Sequence, residues 1–432
     1  MNTARRIVAV GAALAATAAL LTGCSASGGS SDPNTLKLWH FEGQESAMGI
    51  AWNEAIKTFE KETGAKVEFE EKSFEQIRST ASQVLNSNEA PDILEYNKGN
   101  ATAGLLASQG LLSNMNDAVE KYGWDKDLAP SIATTSKYDE NGIMGSGDWY
   151  GIPNYGEYVE VYYNKDMFAQ YGVAVPTTYD EFEAALQTFV DNGVTPLAEA
   201  GAEYPIGQLF YQLALTKADR SFIDDYQLYK GDVDWQGPEL SYAADTLKEY
   251  VDKGFISKDV TGIKAEDMGT TWMSGKAPIM VSGSWWYGRA VTEATSFDWG
   301  TFLFPGSDFA PGSGGNLWVV PENAANKDLA YKFIDITMRP EIQNLIGNNG
   351  GVPVKADAAD ITDPKSQELI ANFNTLLDDD GLAYYPDWPT PTFYDQLVAG
   401  TQELINGTKK PNDVLTQLGD QYQSGVDDIT GK

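Results

Sequence analysis

The sequence predicts an α/β protein in two domains, on three observations. Between Thr35 and Gln109 the apolar residues switch repeatedly between the period of a strand and the period of a helix. The chain has 432 residues, 42% of them hydrophobic, more than the roughly 250–300 residues that one core fills. No fixed-period repeat is present, which sets a solenoid aside.

The first residues stand outside that pattern. Arg5 and Arg6 precede an apolar run from Ile7 to Leu21, and Leu21-Thr22-Gly23-Cys24 completes it. A charged region, a hydrophobic region and a small-residue cleavage site read as a signal peptide over residues 1–23. The run is shorter than the roughly 20 residues of a spanning helix. Cys24 is the only cysteine, and its place after Thr22-Gly23 resembles the bacterial lipobox. There the thiol is alkylated by a diacylglyceryl group, so acyl chains would hold the protein to the outer face of the cell membrane. With that thiol used, no disulfide is available and the core alone must hold the fold. Residues 24–34 lack a hydrophobic pattern and read as a flexible tether.

The formal charge is −32, or −34 once Arg5 and Arg6 leave with the signal. Nucleic acid and anionic headgroups are bound by pairing phosphates with Lys and Arg, so neither is an expected partner. The membrane is reached through the lipid anchor only.

The folded body begins near Leu36. Thr35 to Trp39 alternates as a strand, Met48 to Thr63 as a helix ending at Gly64, and Val67 to Glu70 as a second strand. Phe74 to Leu85 is a second helix, Pro91 to Glu95 a third strand and Ala101 to Gln109 a third helix. Such alternation makes a mostly parallel sheet flanked by helices, with ligands beyond the carboxyl ends of the strands. The loops at those ends carry Trp39, His40 and Glu42, then Lys72, then Asn97, Lys98 and Asn100. Aromatic, amide, carboxylate and ammonium groups together suit a ligand rich in hydroxyls and poor in charge. Further on, Glu157 to Tyr163 is strand-like, and helical spacing recurs at Tyr179–Asn192, Tyr242–Lys253, Ala330–Met338, Lys365–Leu377 and Tyr394–Asn406.

Several stretches carry a family resemblance. They are Glu89-Ala90-Pro91-Asp92-Ile93, Gly151-Ile152-Pro153 with Tyr163-Asn164-Lys165, Met273 to Met280, Gly283-Ser284-Trp285-Trp286, and Gly350-Gly351-Val352-Pro353. In this order the chain resembles the extracellular solute-binding proteins of ABC sugar importers, the group similar to maltodextrin-binding proteins. The resemblance implies a two-lobed periplasmic-binding-protein-like fold (type II), with a short oligosaccharide trapped in the cleft and passed to the transmembrane subunits of a permease. It implies a monomeric binding protein with no enzymatic activity and no cofactor. Carried onto this sequence, residues 35–155 and 286–337 form the N-lobe, and 156–285 and 338–432 the C-lobe. The crossings then fall near Gly156–Tyr158, Ser282–Trp286 and Met338.

A pyranose presents C–H faces that aromatic rings cover and hydroxyls that carboxylates and amides satisfy. The 11 Trp and 22 Tyr supply the first. Trp285 and Trp286 are adjacent, so in an extended segment only one of them faces the cleft, the other reading being hinge packing. Tyr385, Asp387 and Trp388, stiffened by Pro386 and Pro389, are expected as a binding rim, and Asn316 ends a glycine-rich run that permits close approach. His40, the only histidine, has no partner for a His-rich metal site or a serine triad. Two alternatives stay open at this point: a secreted glycosidase using the same carboxylates, and a binding protein for a polyamine or peptide.

Overall fold

The computed structural model describes residues 32–355 and 358–432. The signal segment, Cys24 and most of the tether lie outside these residues. Strand β1 (Thr35–His40) buries Leu36 and Leu38 completely. Helix α1 (Ala47–Thr63) starts where the Ser46 hydroxyl accepts from the Gly49 N–H at 2.9 Å and stops at Gly64, whose φ of 71° ends the turn. Its stripe of Ala51, Trp52, Ala55 and Phe59 lies on the sheet. After β2 (Lys66–Glu71) comes α2 (Phe74–Leu85), capped by Ser73, and then β3 (Ile93–Tyr96). β1 runs parallel to both β2 and β3.

A small ladder of β4 (Lys137–Tyr138) and β5 (Asp148–Trp149) precedes β6 (Ile152–Pro153) and the long β7 (Gly156–Asn164). The remaining strands are β8 (Leu197–Ala198), β9 (Ile279–Gly283), β10 (Trp299–Phe302), β11 (Gly312–Gly314) and β12 (Leu317–Val319). Two five-stranded sheets result. The first has the order β2-β1-β3-β12-β6, the second β10-β7-β9-β8 with β11 also on β7. All nine residues of β7 are buried, because Val159 and Val161 face one hydrophobic core while Tyr158 and Tyr162 face another. Trp52 of α1 meets Trp318 of β12 edge-on at 5.2 Å, joining the earliest helix to a late strand.

The strand pairing departs from the expected crossings. β10 lies in the range 286–337 that we placed in the first lobe, yet it is antiparallel to β7 with Trp299 opposite Asn164. The chain returns to the first sheet only between β11, which pairs with β7, and β12, which pairs with β3. The helix Pro340–Asn348, expected in the second lobe, is tied to the first: Gln343 Nε2 donates to the Asn154 carbonyl at 3.0 Å, and Arg339 just before it pairs with Glu62 of α1. The Trp285-Trp286 pair is not extended either. Ser284–Trp286 forms a 3₁₀ turn leading into the helix Tyr287–Glu293. No helix among the described residues is long and apolar enough to cross a membrane.

Candidate functional site

The loops after β1 and β3, the β6–β7 junction, the turn after β9 and the segment Tyr384–Thr390 meet between the two sheets. Gly99 has a φ of 102°, and a Cβ there would lie 2.6 Å from Cγ of Trp388. Glycine thus lets the β3 loop sit directly under the indole. Lys98, only 2% exposed, forms an ion pair with Glu157, and its ammonium reaches Asn316 Oδ1 at 3.5 Å. The same ammonium stands 5.5 Å from the Tyr385 ring and 5.3 Å from that of Trp388. Asn316 in turn donates from Nδ2 to the Tyr155 hydroxyl at 2.7 Å.

Glu42 joins this group through the α1 cap, with the Ser46 hydroxyl donating to it at 3.4 Å. Burial, and after it the charge of Glu157, pushes the Glu42 carboxyl up to about 7. The Asp387 carboxyl is pushed up to about 6 by burial, against the pull of its own backbone N–H and of Lys98 and Arg78. Glu95, fully buried on β3, is raised well above the carboxylate range by burial and then by Glu42, while Asn154 donates to it at 2.8 Å. Trp285 completes the wall, 6.1 Å from the Tyr204 ring and 6.2 Å from that of Tyr385. A small pocket lies beside it, lined by Ser46, Tyr155, Trp285, Arg289, Gly350 and Val352. Carboxylates, an ammonium, an amide and aromatic faces therefore gather at one junction, a set that can satisfy hydroxyls and cover C–H surface at once.

Of the residues expected here, Glu42, Lys98, Trp285, Asn316, Tyr385, Asp387 and Trp388 come together. Others do not. His40 is 2% exposed and stacks on Phe69 of β2 at 4.1 Å, where burial pulls its pKa down to about 3 and keeps the ring neutral. Trp39 alternates to the opposite face from His40; its ring lies 4.6 Å below the Lys72 ammonium, and both line a separate groove along Gln76, Thr80 and Gln83 of α2. Asn97 uses its Oδ1 to accept the Lys98 N–H at 3.0 Å, which fixes the loop. Asn100 is spent on backbone, donating to the Gln227 carbonyl at 3.0 Å and accepting from the Met144 N–H at 2.7 Å. Trp286 is a core residue: it lies against Gly269, with the Arg289 guanidinium 4.8 Å from its ring. The 3₁₀ turn therefore leaves Trp285 as the tryptophan of the pair on the cleft side. Tyr155 and Glu157 were absent from our expected set, although a glutamate inside a Tyr- and Val-rich strand was a visible signal.

A family model described as bacterial extracellular solute-binding protein matches residues 43–344. The chain is similar to a probable sugar-binding periplasmic protein of Rhizobium meliloti (strain 1021), 25% identical over 324 residues that make 70% of this chain and 69% of the relative. It is also similar to the diacetylchitobiose binding protein DasA of Streptomyces coelicolor, 25% identical over 361 residues, 78% of this chain and 80% of that one. Among solved structures, a chitin oligosaccharide binding protein superposes with a TM-score of 0.77 at 22% identity, covering 91% of this chain and 98% of the other. The two sheets with a cleft between them are thus the type II architecture of sugar-binding receptors, and the chain belongs to the bacterial extracellular solute-binding proteins.

Proposed function

We propose that this protein is the substrate-binding lipoprotein of an ABC importer, which captures a short oligosaccharide between its lobes and delivers it intact to a membrane permease. The observation that carries the reading is the convergence of Trp285, Tyr385 and Trp388 with Glu42, Asn316 and Asp387 around the Lys98–Glu157 pair. Sugar recognition by the relatives named above supports it. In this reading residues 35–155 and 317–351 make the first lobe, and residues 156–314 with the chain from 352 onward make the second.

A thermal-shift panel of diacetylchitobiose, xylotriose, maltotriose and raffinose tests the reading, because a ligand that binds the folded state alone raises its melting temperature. At least one should do so and be recovered uncleaved. No shift from any of them, or release of reducing sugar over time, would contradict it. With the best of the four, Trp285→Ala should weaken binding about thirtyfold, the loss of roughly 2 kcal/mol expected for a central aromatic contact. Calorimetry reads this directly, and an unchanged Kd would move the stacking position elsewhere.

The anchor is a separate element of the proposal. Cys24 carries the lipid and residues 25–34 give the body reach from the bilayer. Cys24→Ala should shift the protein from the membrane fraction to the soluble one, or leave the signal uncleaved; a processed, membrane-bound variant would refute lipidation at this position.

A further inference from the structure

Among the contacts that cross between the lobes, three lie beside the group of carboxylates and aromatic rings. Asn100, 3% exposed, reaches from the first lobe to the carbonyl of Gln227 in the helix Arg220–Leu228, at 3.0 Å. The neighbouring Ala101 N–H donates to the carbonyl of Trp388 at 2.9 Å. On the other flank Arg78 of α2, held by Glu75 at 2.9 Å, lays its guanidinium 4.7 Å from the ring of Tyr394, near the start of the helix Phe393–Asn406.

Each contact joins groups that separate when the lobes part. Asn100 is held on both sides, since the Met144 N–H that donates to its Oδ1 belongs to its own lobe. The amide is therefore aimed at Gln227 in advance, and only its Nδ2 is exchanged on opening. Resting on the ligand-cleft reading above, we infer that Asn100 and Arg78 are closure residues: they sustain the closed arrangement, and so set affinity and residence time for the sugar without touching it. A ligand that binds only the closed form has its apparent Kd raised in proportion as that form becomes rarer. Opening must also precede release, so a weaker clasp shortens residence.

Arg78→Ala removes a partly exposed cation–π contact and should weaken binding about threefold. Asn100→Asp keeps size and the acceptor for Met144 but opposes a carboxylate to the Gln227 carbonyl, so a loss of about tenfold or more is expected. Arg78→Lys retains a cation over the ring and should fall between parent and alanine.

Small-angle scattering of the ligand-free full chain, parent against Arg78→Ala and Asn100→Asp, gives the first test. Both variants should have a larger radius of gyration than the parent. Stopped-flow fluorescence with diacetylchitobiose as probe gives the second, and both should release it faster. Equal radii together with equal release rates overturn the inference. Should Asn100→Asp fail to fold, the pair Arg78→Ala and Tyr394→Leu decides: coupled, non-additive effects on the radius support the clasp, and strictly additive or absent effects overturn it. If the parent does not bind diacetylchitobiose, another sugar of the panel serves as probe. If none binds, the sugar reading has failed, and the radii still judge the clasp by themselves.

Discussion

Glu160→Gln is expected to stabilise the protein by on the order of 4 kcal/mol at pH 9 relative to its effect at pH 4. Glu160 lies at the middle of β7 with no exposed surface, and the Tyr158 hydroxyl donates to its Oε2 at 3.1 Å. Burial pushes the carboxyl up to about 8 despite the nearby hydroxyls of Thr301, Tyr158 and Tyr162, which pull the other way. A carboxyl raised in the folded state keeps its proton where the unfolded chain has lost it. Its contribution is whole below about pH 4.5 and is lost as the pH rises through about 8. Glutamine is neutral throughout, so the variant should show no such loss. Urea unfolding of both proteins at the two pH values gives the difference with all other groups cancelled. An identical offset at both pH values would mean that this carboxyl ionises freely inside the fold.

Lys98→Met should lower stability by about 3–5 kcal/mol and abolish sugar binding. The ammonium pairs with Glu157 and also pulls on Glu42 and Asp387, and the Lys98–Glu157 pair is almost wholly buried. Removing it leaves a buried carboxylate without compensation, which costs more than the pair itself contributes. The double variant Lys98→Met with Glu157→Gln should recover most of the stability without recovering binding. If the single variant is as stable as the parent, the pair is not shielded from water in solution.

The elements most legible in the sequence were those with one wet face and one dry face. Helix α2 has the bounds its periodicity predicts, and Tyr179–Asp191, Pro364–Asp378 and Phe393–Asn406 agree to within a residue or so. The helix Ile206–Leu215 was missed because all ten of its residues are buried, which erases the polar stripe that marks a helix. Pro411–Thr430 was missed where Gly419 and Gly425 interrupt the pattern, and the structure gives the reason for them: Trp235 and Thr390 pack within 3 Å of where a Cβ would stand. At the site, residue type was readable and direction was not. Lys98, Asp387 and Trp388 announced themselves by chemistry, whereas His40 and Asn100 sit in equally suggestive loops and are turned into a sheet and onto a backbone carbonyl. A side chain's aim depends on the strand register and on partners more than a hundred residues away, neither of which is local information.

The place of β12 has a consequence for how the molecule comes into being. It lies between β3 and β6, so a strand ending at Val319 separates two that are complete by Pro153. A nascent chain that has released its first 155 residues holds an unfilled slot at the centre of its own sheet. That slot closes only after the greater part of the second lobe has also been made. Contacts of such sequence separation form slowly, because the loop between them must first be brought together. Early local collapse is thus denied a finished product, and the polypeptide stays threadable for most of its synthesis, which is the condition a secretion channel imposes on its cargo.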